Sequence, residues 1–146
     1  MIPILFAADA ETFTSQGIGP LGDAISCEVT EERNGVYELE MQYPVTGIHF
    51  EDIQNRCILA AIPSPYRTRQ PFRIYKISRP LDGIVTIYAA HLSYDLNGIP
   101  VNAFTAQGIT GAFGGLKANM AIDSNFTFTA GIANTTSKIN IQSPAA

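Results

Sequence analysis

The amino-acid sequence predicts a mainly β protein with minor α: a small antiparallel barrel-like domain over residues 1–100, followed over 101–146 by the start of a second, α+β domain. Three observations carry this reading. Apolar residues alternate through 25–43 around an Asn-Gly turn, a second pair of strands flanks Asp82-Gly83, and beyond His91 the pattern shifts to apolar residues at helical spacing among glycines.

Taken in order, Ile2-Pro3-Ile4-Leu5-Phe6 reads as a first strand, with Pro3 tolerable at a strand start or edge. Residues 9–22, with Gly17, Gly19, Pro20 and Gly22, read as a loop. The first hairpin follows. Its apolar positions are odd, Ile25, Cys27 and Val29 going in and Tyr37, Leu39, Met41 and Tyr43 coming out. A two-residue Asn34-Gly35 loop would set Val29 against Glu40 and Cys27 against Gln42. A three-residue loop, Arg33-Asn34-Gly35 with Gly35 left-handed, pairs Val29 with Leu39, Cys27 with Met41 and Ile25 with Tyr43, leaving one face wholly apolar. That register also opposes Glu28 to Glu40 and Thr30 to Glu38, so the other face needs a cation beside it.

Residues 48–55 make one weak helical turn, and 56–63 a strand stopped by Pro63 and Pro65. Arg69–Ser78 and Ile84–Ala90 form the second hairpin, since Asp-Gly suits a type I′ turn. The turn sets Ile77 opposite Tyr88 and Tyr75 opposite Ala90. Phe72, Ile74, Val85 and Ile87 then share one face and Tyr75, Ile77, Ile84 and Tyr88 the other, so both faces need cover. His91–Gly98 reads as a helical turn, Ile99–Phe104 as a strand, 107–122 as a helix despite Gly111, Gly114 and Gly115, and Phe126–Thr129 and Lys138–Ile141 as closing strands.

Charge is segregated along the chain. Ten of the 13 acids lie in residues 1–52 with Arg33 as their one base, whereas 56–79 holds Arg56, Arg67, Arg69, Arg73, Lys76 and Arg79 and no acid. Two readings stand: the basic strand lies near the acidic hairpin within one sheet, or acidic and basic patches meet between subunits. A net charge of -4 and the lack of a recognised motif argue against specific nucleic-acid binding. From Leu96 to Ala146 only Lys117, Asp123 and Lys138 are charged. So bare a stretch predicts that further polypeptide covers it, or that a second domain continues past Ala146. No apolar run is long enough to span a bilayer and no secretion signal is evident, so the chain reads as soluble, without a membrane anchor.

The search for chemistry yields no catalytic, cofactor or metal residues. His49 and His91 lack metal-ligand spacing and read as surface or strand-end histidines. Cys27 and Cys57 read as buried inert thiols rather than a disulfide framework, and no G-x-S-x-G occurs. Asp23, Glu28, Glu38 and Glu40 could suggest paired carboxylates but fit a solvated strand face better. Gly111–Lys117 departs from both phosphate-loop patterns, and close helix packing accounts better for its glycines. Asn125-Phe126-Thr127 and Asn134-Thr135-Thr136 match the glycosylation pattern without an accompanying signal for secretion.

Three blocks in order, Glu31-Glu32-Arg33-Asn34-Gly35-Val36-Tyr37-Glu38-Leu39 with Tyr43-Pro44, then Gln70-Pro71-Phe72-Arg73-Ile74-Tyr75, then Tyr88–Leu96, resemble the amino-terminal region of phage minor structural proteins, the prophage tail endopeptidase or tail-associated family of long-tailed phages. The resemblance implies a baseplate-hub domain at the virion tail tip, made in the bacterial cytoplasm. Such a domain is a barrel-like tube domain that assembles as a trimer in the full-length protein, closes the tail tube and docks on the distal tail protein. It carries no enzymatic residue over to this chain, because the family's catalytic portion follows this region. The alternatives are the leading segment of a peptidoglycan-degrading endopeptidase and a generic small β-barrel binding module.

Overall fold

The computed structural model describes residues 1–129 and 138–141 of the chain. Two compact units form, Met1–Tyr94 and Asp95–Ala146, where the sequence expectation set the division at residue 100. The fold is mainly β, and its principal feature is a curled antiparallel seven-strand half-barrel.

The strands of the first unit are β1 (Ile4–Phe6), β2 (Gly19–Pro20), β3 (Ser26–Glu31), β4 (Tyr37–Pro44), β5 (Ile58–Ala61), β6 (Gln70–Ile77) and β7 (Ile84–His91). They lie in the order β2-β1-β5-β6-β7-β4-β3. The inner face carries one continuous core that includes Leu5, Leu59, Phe72, Ile74, Val85, Ile87, Leu39, Met41 and Tyr43, closed over by Leu21 and Ile53. On the opposite face a smaller core, Ile4, Phe6, Ile58 and Ala60, is roofed by Ala10, Phe13 and Leu92. The sheet is therefore covered on both sides at β1 and β5. At β6 and β7 only the inner face is buried, and Tyr75 on the other face is 51% exposed.

The first hairpin has the register expected from alternation: Cys27 opposite Met41, Glu28 opposite Glu40, Val29 opposite Leu39, Thr30 opposite Glu38. Two details differ. The left-handed residue of the turn is Asn34, with φ 59°, rather than Gly35. Asparagine tolerates that region, and Gly35 is there for space, because a Cβ on it would stand 2.9 Å from the Cβ of Glu32. Ile25 lies one residue before the strand and is exposed instead of facing Tyr43.

In the second hairpin Asp82 and Gly83 both take positive φ, 50° and 75°, as a type I′ turn demands. The register beyond the turn departs from expectation. Leu81 bridges Ile84, but Ile77 pairs with Ile87, Lys76 with Tyr88 and Ile74 with Ala89. One residue is absorbed near Pro80, which has no N–H for the ladder, and another at a bulge between Ile74 and Lys76. Tyr75 is left out of the pairing, and Ile77 packs on the core rather than on the outer face.

The expected strand at 56–63 is trimmed to Ile58–Ala61, since Arg56 has φ 77°, and the weak turn at 48–55 is a 3-10 turn, Phe50–Asp52. In the loop before β2, Gly17 has φ 54° and a Cβ there would stand 2.3 Å from the Leu5 carbonyl, so glycine is required.

The second unit holds β8 (Phe104–Gln107), α1 (Gly108–Ala118) and β9 (Lys138–Ile141), with β8 and β9 antiparallel. The strand expected at 99–104 starts instead at Phe104, and Val101 makes a single bridge to Met120. Residues 126–129 are not a strand. Of the helix glycines, Gly115 has a packing reason, since a Cβ would stand 2.4 Å from the Phe104 ring, whereas Gly114 has nothing within 4 Å. Asn134-Thr135-Thr136 lies outside the described residues.

Candidate functional site

The basic stretch does not neutralise the acidic hairpin strand against strand, because β7 lies between β6 and β4. Arg67 forms an ion pair with Glu31 at 2.8 Å, on the surface, where such a pair contributes only about 0–1 kcal/mol. Two other bases serve the backbone. One guanidinium nitrogen of Arg69 donates to the carbonyls of Phe13 and Ser15, both at 3.1 Å, and one of Arg73 donates to those of Ala8 and Arg56, both at 3.0 Å. These two arginines pin the loop that roofs the second core. Lys76 places its ammonium 5.0 Å from the centre of the Tyr88 ring, a cation–π contact.

The histidines lie apart in the fold's connectivity. His49 precedes the 3-10 turn with φ 64°, lies 3.1 Å from the Asp52 carboxylate, and covers Gly19, where a Cβ would stand 2.3 Å from its Nε2. Among the described residues no group of three or more His, Cys, Asp or Glu gathers as metal ligands. Cys27 and Cys57 are buried free thiols. Burial pushes Cys27 up to about 11, so it carries almost no thiolate near neutrality.

The most built constellation is at the end of the half-barrel where the first hairpin turn, the start of β6 and the end of β7 meet. Tyr37 stacks on His91, centroids 4.3 Å apart and planes 20° apart, and Phe72 meets both edge-on at 5.3 and 5.4 Å. The Ser93 N–H donates to His91 Nδ1 at 3.3 Å, which leaves that nitrogen unprotonated, and Nε2–H donates to Gln70 Oε1 at 3.2 Å. The Ser93 hydroxyl lies 2.8 Å from Nδ1 and donates to it as well. Burial lowers the His91 pKa, opposed by the charge of Glu31. Both ring nitrogens are thus engaged within the clip.

Tyr94, in the 3-10 segment Leu92–Gly98, completes the clip: its hydroxyl accepts the Tyr37 N–H and donates to the Gly35 carbonyl, both at 3.2 Å. The Tyr37 hydroxyl is buried and takes no hydrogen-bond partner among the described residues. Burial first, then Glu31, raises its pKa. Sequence reasoning placed Tyr37 and Phe72 on apolar faces and His91 at a strand end but did not bring them together. The signal available was that all three lie inside the resembling blocks.

Beyond the clip, the outer face of β3 and β4 carries Glu28, Thr30, Glu38 and Glu40 and opens into a groove of about 150 Å³ lined by Thr30, Glu32, Val36, Glu38, Glu40 and Tyr88 among others. The Tyr75 hydroxyl donates to Glu38 at 3.3 Å. In the second unit Lys117 donates to the Phe126 carbonyl at 3.1 Å, so Gly111–Lys117 holds chain rather than presenting a phosphate loop. Comparison with protein families, with curated proteins and with solved structures found no match.

Proposed function

We propose that this chain is a structural component of a phage or prophage tail tip, a baseplate-hub module that assembles with itself and with the distal tail protein to close the tail tube. The observation that supports this reading most is the convergence of the three resembling blocks. Glu31–Leu39, Gln70–Tyr75 and Tyr88–Leu96 are far apart in sequence, and Tyr37, Phe72, Gln70, His91, Ser93, Tyr94 and Gly35 interlock as one clip. The residues that carry the resemblance thus hold a half-barrel in shape, as an assembly module needs, and their polar atoms are occupied in doing so. A curled sheet whose two edge strands, β2 and β3, are each unpaired on one side among the described residues adds to the reading, since such a sheet buries its edges by meeting other chains.

Light scattering coupled to size exclusion tests it. A self-associating hub is expected to run as a trimer, and a strict monomer at about tens of micromolar overturns the hub reading. A cell-wall hydrolysis assay is the second arm. Turnover by this chain that is abolished at His49, His91 or one carboxylate overturns the assembly-only role in favour of an enzyme.

A further inference from the structure

We infer that the free edge of β3 is a docking strand for an extended segment of another protein, one that alternates basic and apolar residues. The inference does not depend on the tail-tip reading. Glu32 N–H donates to the Val36 carbonyl at 2.7 Å. That fixes the phase: along β3 the even residues Ser26, Glu28 and Thr30 spend their backbone groups on β4, and Cys27, Val29 and Glu31 turn theirs outward. Among the described residues β3 ends the sheet, so this row of donors and acceptors is a template for one more strand.

Side chains then specify the occupant. On the inner face, next to the edge, are buried Cys27 and half-buried Val29, which packs on the core. A residue placed opposite them has apolar surroundings. On the outer face Glu28 opposes Glu40 and Thr30 opposes Glu38, and neither Glu28 nor Glu40 takes part in an ion pair among the described residues. Like charges so opposed are destabilising until a cation lies alongside. The residue opposite Glu28 is therefore Lys or Arg, its stem directed over Thr30 toward the groove walled by Glu38, Glu40, Val36 and Tyr88.

A second copy offers no strand with two alternating bases. Its basic strand β6 is already hydrogen-bonded on both sides, to β5 and β7, the Gly19–Pro20 edge carries no charge, and β9, which pairs only with β8 among the described residues, brings one Lys138 and then Asn140 where a second base would fall. The occupant is thus a different chain, recognised by main-chain pairing for affinity and by Glu28 and Glu40 for choice of side chain.

The test uses the full chain and a labelled seven-residue peptide alternating Lys and Val, followed by fluorescence anisotropy at low salt. The expected result is saturable binding that weakens as salt rises, with a peptide of the same composition in scrambled order and an alternating Glu/Val peptide both weaker by about tenfold or more. Val29→Pro removes an outward N–H, whereas Val29→Ala keeps it while trimming at least as much of the side chain. Val29→Pro is expected to weaken binding by at least about fivefold relative to Val29→Ala, and Glu28→Gln to flatten the salt dependence. Equal binding of the scrambled peptide, equal binding by the two Val29 variants, or no binding overturns the proposal and leaves the glutamates as charges that keep the edge unpaired. A concentration-dependent dimer broken by Val29→Pro but not by Val29→Ala also overturns it, by placing a second copy at this edge.

Discussion

Replacing Tyr37 by Phe isolates a polar atom of the clip that takes no hydrogen bond among the described residues. The Tyr37 ring stacks on His91 at 4.3 Å and meets Phe72 at 5.3 Å, and Phe keeps both contacts. What is lost is a buried hydroxyl that takes no partner among the described residues. Burying such a group costs about 1–3 kcal/mol, so the variant is expected to gain about 1 kcal/mol of stability, allowing for part of that hydroxyl's desolvation being lost in the unfolded chain too. Tyr37→Ala removes the ring as well. Truncating a buried aromatic costs about 3–5 kcal/mol, and for a half-buried ring about 2–3 is expected. The chain contains no tryptophan, so urea unfolding is best followed by far-UV circular dichroism. A slope of about 1–3 kcal/mol per molar turns 1 kcal/mol into a midpoint shift of about 0.3–1 M, upward for Phe and downward for Ala. A Phe variant less stable than the parent would refute the reasoning, because the hydroxyl must then hold a partner that the clip geometry denies it.

Three further outcomes follow from the same geometry. His91 is held below its ordinary value of 6.5 by burial, so the unfolded chain binds the extra proton first; its contribution is full above about pH 6.5 and lost as pH falls, and His91→Phe should show a shallower decline in thermal stability between about pH 7 and 5 than the parent. In α1, Gly114→Ala should stabilise the second unit by up to about 1 kcal/mol of helix propensity and raise its thermal midpoint, whereas Gly115→Ala should lower the midpoint despite the same propensity gain, because the methyl meets the Phe104 ring; equal behaviour of the two contradicts the packing. Arg73→Glu, which strips two loop carbonyls of their donor, should destabilise clearly more than Lys76→Glu, which loses one exposed cation–π contact of about 0.5–1 kcal/mol, as read from urea midpoints.

Much of the half-barrel was legible in the residues. The odd-position alternation in 25–43 leaves one register with a clean apolar face, and Cys27–Met41 and Val29–Leu39 pair accordingly. The Asp82-Gly83 turn was equally readable, but the strands it joins were not, because two single-residue irregularities shift the ladder and a one-residue shift moves a side chain to the other face. Ile77 changed sides for that reason. The basic stretch misled in another way. Arginine makes good hydrogen bonds to carbonyls as well as to carboxylates, and nothing local in a sequence separates the two uses; Arg69 and Arg73 tie down residues 8–15 some 54–65 positions away in the chain. The clip was invisible for the same long-range reason, since Gln70–His91 and Gly35–Tyr94 are tertiary pairs.

The central claim, that this chain is built into a tail tip, is tested most directly by immunogold electron microscopy of tail particles from its source with antibody raised against residues 1–94. The account predicts gold at the end of the tail distal to the head, one cluster per particle. Labelling along the tail tube or on the head, or particles without gold beside soluble antigen, would contradict it.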